Sequence, residues 1–126
     1  MRQKKSLGSV SIESIDRYKV IDQLQGCAKN IGMTFSQVEV CLLYGSLLRG
    51  DYSPESDIDF LIVLQTSTLP FLQRCDPFQD FFSHLPFDID LKVYTRKEIE
   101  SMLEENNPFI VQVFKEGKVL WRMDER

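Results

Sequence analysis

The sequence predicts one mixed α/β domain, because stretches with helical periodicity alternate with short apolar stretches along the 126 residues. From about Ser14 to Ile31, apolar side chains recur every three or four positions, which predicts an amphipathic helix that ends at Gly32. Residues 1–12 are polar and are predicted to form a loose tail before a single domain of residues 13–126. Three stretches have the apolar runs or the alternation of β-strands: residues 38–43, 57–64 and 87–94.

The third predicted strand alternates strictly, whereas the segment before it carries mixed signals. Pro70 opens a stretch whose apolar spacing favours a helix, but Pro77 lies inside that stretch and breaks or kinks it. Alternation predicts that the strand has one buried face and one polar face. The buried set is Phe87, Ile89, Leu91 and Val93, and the polar set is Asp88, Asp90, Lys92 and Tyr94.

Capping signals define two helices near the end of the sequence. Thr95 and Glu98 have the spacing of a capping box, in which each side chain bonds to the backbone of the other residue. Asn107 followed by Pro108 is typical of an N-cap and the first helical position. That second helix is predicted to end at Gly117, and a last short strand follows at residues 118–121.

Composition limits the classes of function. With 15 basic and 19 acidic residues the net charge is −4, which argues against strong binding to a nucleic-acid backbone but allows binding of a single metal-bridged nucleotide. Three cysteines without a CxxC pair predict reduced thiols. His84 is the only histidine and no zinc-ligand spacing occurs, which argues against a zinc site. We find no signal-peptide pattern and no apolar run long enough to span a bilayer, so the cytoplasm is the expected location.

Two aspartates precede the core of the second predicted strand. Asp57 and Asp59 are separated by one residue, so their side chains project from the same face of an extended segment. Two carboxylates held that close together repel each other, which predicts that a cation binds between them. Magnesium takes one or two protein carboxylates and completes its shell with water and substrate phosphates, and a pair of such ions suits displacement at phosphorus.

A glycine-serine turn follows the first predicted strand. Gly45 and Ser46 open a short predicted helix, SLLRG, directly after that strand. Glycine allows the backbone to approach a ligand closely, and free N–H groups at a helix start attract phosphate. We therefore expect the turn to hold a phosphate tail and the aspartates to hold the metal ions on it.

Taken together, these motifs resemble the signature of the nucleotidyltransferase superfamily typified by DNA polymerase β. The signature consists of Gly45-Ser46, a ten-residue gap, and then Asp57-Ile58-Asp59 before an apolar strand, with Gly50 and Ser56 inside the gap. The chain is similar in particular to the minimal nucleotidyltransferases, and the likeness extends from about residue 20 to residue 121. The resemblance implies a small mixed sheet of three to four strands with helices packed on one face.

The resemblance also implies roles for individual residues. Asp57, Asp59 and a third carboxylate would hold two Mg²⁺ ions, and the third carboxylate is expected to be Asp90, with Asp88 the less favoured choice. Asp90 would also help to deprotonate the acceptor hydroxyl. The nucleotide-binding set would be Gly45, Ser46, Arg49, Ser56 and Lys92. The alternative reading is that the aspartates are surface acids of a strand edge that keep the sheet soluble, and that Lys92 is an exposed strand residue.

The implied reaction moves a nucleoside monophosphate, AMP from ATP, onto an acceptor hydroxyl. Minimal nucleotidyltransferases commonly pair with a small helical HEPN protein as a toxin–antitoxin system, so the expected acceptor is such a partner. Two alternatives stay open: transfer to a small molecule, as in aminoglycoside-modifying relatives, and a non-catalytic antitoxin or nucleotide-binding module that acts by contact. A homo-oligomer is also possible on the sequence alone.

Overall fold

The fold is a four-stranded sheet with helices on both faces, seen in a computed structural model that describes residues 16–53 and 56–126. The predicted tail of residues 1–12 and the predicted helix start at Ser14 lie outside the described residues. The strands are β1 (Val38–Tyr44), β2 (Ile58–Leu64), β3 (Ile89–Thr95) and β4 (Lys118–Arg122). The α-helices are α1 (Arg17–Thr34), α2 (Ser46–Arg49), α3 (Asp76–Gln79), α4 (Arg96–Glu104) and α5 (Pro108–Glu116).

The sheet is mixed, with strand order β3-β2-β1-β4. β1 pairs antiparallel with both β2 and β4, whereas β2 and β3 run parallel. Two parallel neighbours need a long crossover connection, and residues 65–88 supply it. The predicted mixed α/β fold is therefore confirmed, with the larger of the two expected strand numbers.

One face of the sheet packs against α1 and the crossover segment. The predicted buried face of the third strand is confirmed. Phe87 and Val93 are buried on this face, and Ile89 and Leu91 pack against the same cluster. The phenylalanines of the crossover contribute core contacts, with the Phe78 ring centroid 4.9 Å from that of Phe35 and the Phe82 centroid 4.9 Å from that of Phe60. Pro77 lies in the first turn of α3, and the predicted long helix is replaced by α3 and two short 3₁₀ turns, Phe71–Gln73 and Asp80–Phe82.

The opposite face packs against α4 and α5, so the expectation of helices on one face is wrong. Ile99 of α4 and Ile110 and Val113 of α5 form a second buried cluster with side chains of β1 and β2. The physical reason lies in β2, where Leu61 and Val63 are as buried as the residues that alternate with them. A strand that is apolar on both sides needs cover on both sides.

Helix α1 continues past the predicted stop at Gly32 and ends at Thr34. Gly32 is buried, and a Cβ atom at this position would collide with the Trp121 indole of β4. The glycine therefore allows α1 and β4 to approach closely, which no local sequence signal could distinguish from a helix stop. Among residues 16–53 and 56–126, no helix combines the length and apolarity needed to cross a membrane.

Caps fix the positions of α4 and α5 on the sheet. Thr95 Oγ1 accepts a hydrogen bond from the Glu98 N–H at 3.2 Å, and Glu98 Oε1 accepts one from the Thr95 N–H at 2.8 Å. Asn107 Oδ1 accepts from the N–H groups of Phe109 and Ile110, and Gly117 ends α5. Both predicted N-caps and the predicted C-terminal glycine are confirmed, and they set which α5 side chains face the sheet.

Candidate active site

Asp59 and Asp90 lie directly opposite each other on the parallel strands β2 and β3. Residues in register on neighbouring strands point to the same face, and such strands lie about 4.8 Å apart. The structure therefore brings these two carboxylates together at the start of both strands. The residues that alternate with them, Ile58 and Phe60, are fully buried on the other face and anchor β2.

The electrostatics of Asp59 show that the carboxylates act on one another. Burial, and next the neighbouring Asp90, raise the pKa of Asp59 above its ordinary value, and Asp57 adds to this rise. Lys92 and Arg49 oppose it. A half-buried carboxylate with acidic neighbours is stabilised in its ionised form by a cation, because the cation offsets both the desolvation and the repulsion.

Two basic side chains flank the acidic face. Lys92, one alternation beyond Asp90 on β3, places its Nζ 3.0 Å from Asp90 Oδ2 and 5.7 Å from the centre of the Phe109 ring. Arg49, at the end of α2, is more exposed and places its Nε 3.5 Å from Asp51 Oδ2. Both cations lie near enough to Asp59 to oppose the rise in its pKa, so they are placed to meet an anionic ligand.

The Gly45–Ser46 turn packs directly against Asp59. Gly45 has φ +88°, a conformation that L side chains rarely adopt, and a Cβ atom there would collide with the Asp59 carboxylate. Ser46 begins α2, and its carbonyl accepts hydrogen bonds from Gly50 and Asp51. The turn thus exposes a helix start beside the acidic pair, at the place predicted for a phosphate tail.

Ser56 and Asp57 lie in the loop that enters β2. The Ser56 hydroxyl is 3.0 Å from the Ser53 hydroxyl, so it closes a turn within the loop, and no contact between Ser56 and the acidic pair is recorded among the described residues. Asp57 lies near Asp59 and, with Asp88, also acts on Tyr52, whose pKa is raised mainly by burial and then by these two carboxylates. The structure thus places Asp88 next to Asp57, and Asp90 next to Asp59.

A cleft of about 440 Å³ opens beside Asp59, between the end of β1 and α5. This volume lies in the range of small-molecule sites, roughly 300–1,000 Å³. Gly45, Arg49 and Asp59 line one side of the cleft. The opposite wall is formed by α5 through Pro108, Phe109, Gln112, Val113 and Glu116. Sequence reasoning missed this wall, because α5 is distant in sequence and only the long-range fold brings it to the site.

Tyr44 was also missed, although it immediately precedes the glycine-serine turn. It is only 9% exposed, lines the cleft, and contacts the Phe109 ring edge-on at a centroid distance of 5.7 Å. Burial, then Asp59, Asp90 and Tyr94, raise the pKa of its phenol. Its hydroxyl oxygen is buried and has no hydrogen-bond partner in the part of the chain that the structure describes.

The donor chemistry of this face fits magnesium. Asp59 and Asp90 offer carboxylate oxygens on one face, and magnesium needs only one or two such ligands besides water and phosphate. In the described residues, however, no three His, Cys, Asp or Glu side chains converge closely enough to hold an ion. The pair therefore fits a cation that is already bound to phosphate and water. The described residues do not form a preassembled three-carboxylate site.

The family model described as "Polymerase beta, Nucleotidyltransferase" matches residues 28–126. The chain belongs to this nucleotidyltransferase family. The match spans every residue of the acidic face, the glycine-serine turn and the α5 wall. The family resemblance of the motifs is thereby confirmed, and the fold described above is the nucleotidyltransferase core.

Solved structures agree with this fold. A candidate nucleotidyltransferase from Sulfolobus solfataricus shares 20% identity and a TM-score of 0.61, covering 94% of this chain and 95% of that chain. A chain of a toxin–antitoxin complex with AMP-PNP shares 24% identity and a TM-score of 0.50, covering 86% and 74%. Identities this low show the fold alone. A search of curated proteins gave no match.

Proposed function

We propose that this nucleotidyltransferase transfers AMP from ATP to a hydroxyl group of a partner protein. The observation that carries the proposal is the register of Asp59 and Asp90 beside the Gly45 turn. This arrangement puts two carboxylates that favour a cation, a glycine-serine turn and two basic side chains beside one cleft. Each of these groups has a counterpart in a metal-bridged nucleoside triphosphate.

Binding would use the turn and the two basic residues. The N–H groups at the start of α2 and the Ser46 hydroxyl would donate to phosphate oxygens. Arg49 and Lys92 would add positive charge, and Lys92 would exchange Asp90 for phosphate as the ligand enters. Asp57, Asp59 and Asp90 would hold Mg²⁺. The bound ions would supply charge neutralisation of the triphosphate and of the leaving pyrophosphate.

The chemical step is a displacement at the α-phosphorus. The acceptor hydroxyl gives its proton to Asp90, and its oxygen forms a bond to the α-phosphorus. The bond from that phosphorus to the oxygen bridging the α and β groups breaks, and pyrophosphate leaves. The chain's contribution is positioning and charge stabilisation, and α5 limits the access of water to the site.

A protein partner is favoured over a small acceptor by the surface next to the cleft. Leu103, Val111 and Phe114 are each at least 40% exposed on α4 and α5, the helices that flank the cleft wall. Exposed apolar side chains on neighbouring helices are typical of protein contact sites, and α4 packs against α5. A small helical HEPN protein, adenylylated on tyrosine, is the partner that the resemblance to minimal nucleotidyltransferases implies, and the toxin–antitoxin complex with AMP-PNP has a related fold.

The test uses ATP labelled at the α-phosphate. The purified chain is mixed with a small helical HEPN protein, and label on that protein is measured with Mg²⁺ and with EDTA. We expect Mg²⁺-dependent labelling that is lost in the double variant Asp57→Ala, Asp59→Ala and retained in Asp22→Ala, which removes an exposed acid of α1. Labelling that survives the double change would contradict the mechanism.

One observation favours a second candidate, an antitoxin that acts by contact. The Lys92 ammonium lies 3.0 Å from Asp90 Oδ2, so part of the acidic charge is balanced within the chain itself and a contact role would need no nucleotide. In this case the double variant would still bind the partner and suppress its toxicity in cells. The double variant therefore distinguishes AMP transfer from action by contact, because labelling of the partner and suppression of its toxicity are measured separately.

A further inference from the structure

The Tyr44 hydroxyl is a buried donor that the proposed reaction has not yet used. Tyr44 is the last residue of β1 and lies opposite Asp59 in the antiparallel register of β1 and β2. The side chain is more than nine-tenths buried, and its oxygen has no hydrogen-bond partner among the described residues. Phenylalanine would fill the same space without burying a polar atom, so the hydroxyl carries a cost that packing does not explain.

The surroundings of this hydroxyl restrict what its partner can be. The groups that act on it electrostatically are the carboxylates of Asp59 and Asp90 and the phenol of Tyr94. Phe109 of α5 contacts the Tyr44 ring edge-on. The aromatic ring offers no strong acceptor, whereas carboxylate oxygens do. Asp90 binds Lys92 at 3.0 Å and Asp59 lies against Gly45, and neither carboxylate accepts a hydrogen bond from the Tyr44 hydroxyl.

We propose that Tyr44 is a positioning residue whose hydroxyl donates a hydrogen bond to the Asp59–Asp90 carboxylate pair once a metal-bridged nucleotide occupies the cleft. The inference rests on the proposed function and adds a residue to it. Entry of the triphosphate draws Lys92 away from Asp90, the carboxylates turn towards the ligand's cation, and the donor then has an acceptor. The hydroxyl would hold the pair in the orientation that binds the cation.

The proposal predicts that Tyr44→Phe does not lower the melting temperature without ligand but weakens nucleotide binding. In Tyr44→Phe without ligand, an unpartnered buried hydroxyl disappears, so the melting temperature should equal or exceed that of the unchanged chain. With Mg²⁺ and AMP-PNP, and with no acceptor protein present, the variant lacks a hydrogen bond to a charged group, so the dissociation constant should rise about tenfold. A tyrosine with only a structural role gives the reverse pattern, a lower melting temperature and unchanged binding.

The matched control is Tyr94→Phe. Tyr94 lies on the same face of β3, two positions beyond Lys92, and it contacts Phe71 outside the cleft lining. Calorimetry with Mg²⁺ and AMP-PNP and a thermal melt are recorded for the unchanged chain and both variants. We expect the control to bind as the unchanged chain does. Equal weakening in both variants, a melting temperature lowered in ligand-free Tyr44→Phe, or unchanged binding by Tyr44→Phe would each overturn the inference.

The same titration distinguishes this inference from the function on which it rests. If the unchanged chain binds no Mg²⁺–AMP-PNP, both the proposed function and the role of Tyr44 are rejected. If the unchanged chain binds and Tyr44→Phe binds equally well, only the role of Tyr44 is rejected. Binding and melting are measured without turnover, so the identity of the acceptor does not affect the result.

Discussion

At the scale of single residues, a missing side chain decides the geometry of the site. Gly45 combines a positive φ with a position in which a Cβ atom would strike the Asp59 carboxylate. Both features follow from the abrupt turn between β1 and α2, which brings backbone N–H groups close to the acidic pair. The glycine therefore permits the turn and leaves room for the carboxylate.

Replacing this glycine should damage both stability and binding. We expect Gly45→Ala to lower the free energy of unfolding by about 1–3 kcal/mol, because the positive φ strains any L side chain. Denaturant titration measures this loss, and calorimetry should show weaker binding of Mg²⁺–AMP-PNP. The double variant Gly45→Ala, Asp59→Ala should recover part of the stability, since the collision partner is gone. A Gly45→Ala chain as stable as the unchanged one would contradict the steric argument.

The choice between Asp90 and Asp88 as third carboxylate is a second question at this scale. Asp90 is the register partner of Asp59, whereas Asp88 lies nearer Asp57. We expect Asp90→Asn to reduce the rate of AMP transfer by about 10²–10⁴-fold, the usual contribution of a general base. Asp88→Asn should have a much smaller effect, and the reverse order in a labelling time course would exchange their roles.

The sequence predicted these residues unevenly, for physical reasons. Local alternation grouped Asp57 with Asp59 and Asp88 with Asp90, but the choice of Asp90 came only from the family resemblance. Its position opposite Asp59 depends on the register of two strands that are distant in the chain. Tyr44 and Gln112 line the cleft through contacts distant in sequence, and neither is preceded by a distinctive local pattern. Ser56 stays a prediction from the family resemblance, and its hydroxyl lies 3.0 Å from that of Ser53.

At the scale of elements, side chains at helix ends fix the two helices that wall the site. Glu98 has two tasks, since it completes the capping box of α4 and pairs with Arg74 of the crossover at 2.5 Å. Arg74 is largely buried and also donates to the Leu69 carbonyl at 3.0 Å. One carboxylate thus connects α4 to the crossover segment.

This pairing predicts a pH dependence of stability. Burial raises the pKa of Glu98, but hydrogen bonds from Arg74 and Thr95 outweigh it, and the net pKa lies below the ordinary value of 4.5. A lowered folded-state pKa means that the stabilisation is complete above pH 4.5 and is lost as the pH falls through the lower value. Urea titrations across this range should show that loss in the unchanged chain.

Glu98→Gln is the control for that pH dependence. Glutamine can still complete a capping box, so α4 keeps its N-terminal hydrogen bonds while the charge on residue 98 is removed. We expect the variant to be less stable by about 1 kcal/mol at neutral pH, because the pair is partly exposed to water. Its stability should also fall less steeply in acid, and equal slopes in both proteins would show that another carboxylate is responsible.

Element boundaries were predictable where a cap was local and unpredictable where packing decided. Thr95, Asn107 and Gly117 set the ends of α4 and α5 as expected from their own backbone chemistry. Gly32 gives the same local sequence signal as a helix stop, but its role is to let α1 pack closely against Trp121. In the crossover, Pro77 correctly predicted a break, although the number of short pieces depended on how the phenylalanines reach the core.

At the scale of the whole molecule, the apolar content of β2 determines that the sheet is covered on both faces. Its burial on each side requires α1 and the crossover on one face and α4 and α5 on the other. The same arrangement leaves the acidic pair at the strand starts, where the cover of α5 ends in a cleft. The three cysteines are free thiols, in agreement with the sequence prediction.

The contact between α1 and β4 tests the integrity of this arrangement. Gly32→Ala would push a methyl group into the buried Trp121 indole, and we expect a loss of about 1–3 kcal/mol in unfolding free energy. Tryptophan fluorescence during urea unfolding measures the change, since Trp121 is the single tryptophan. Gly26→Ala in the same helix is the matched control, because nothing lies within 4 Å of a Cβ atom there. It should be neutral or stabilising.

The parallel pairing of β2 with β3 has a consequence for folding. The β1–β2 pair joins segments that are close in the chain, whereas Asp59 meets Asp90 only after the loop of residues 65–88 has closed. Closing a longer loop costs more entropy and delays the contacts that depend on it. During synthesis, the ribosome must therefore release β3 before the two carboxylates can meet, and α5 later still. The acidic pair and the cleft beside it therefore exist together only once the chain has been made as far as α5, and a chain terminated before α5 would lack the cleft wall.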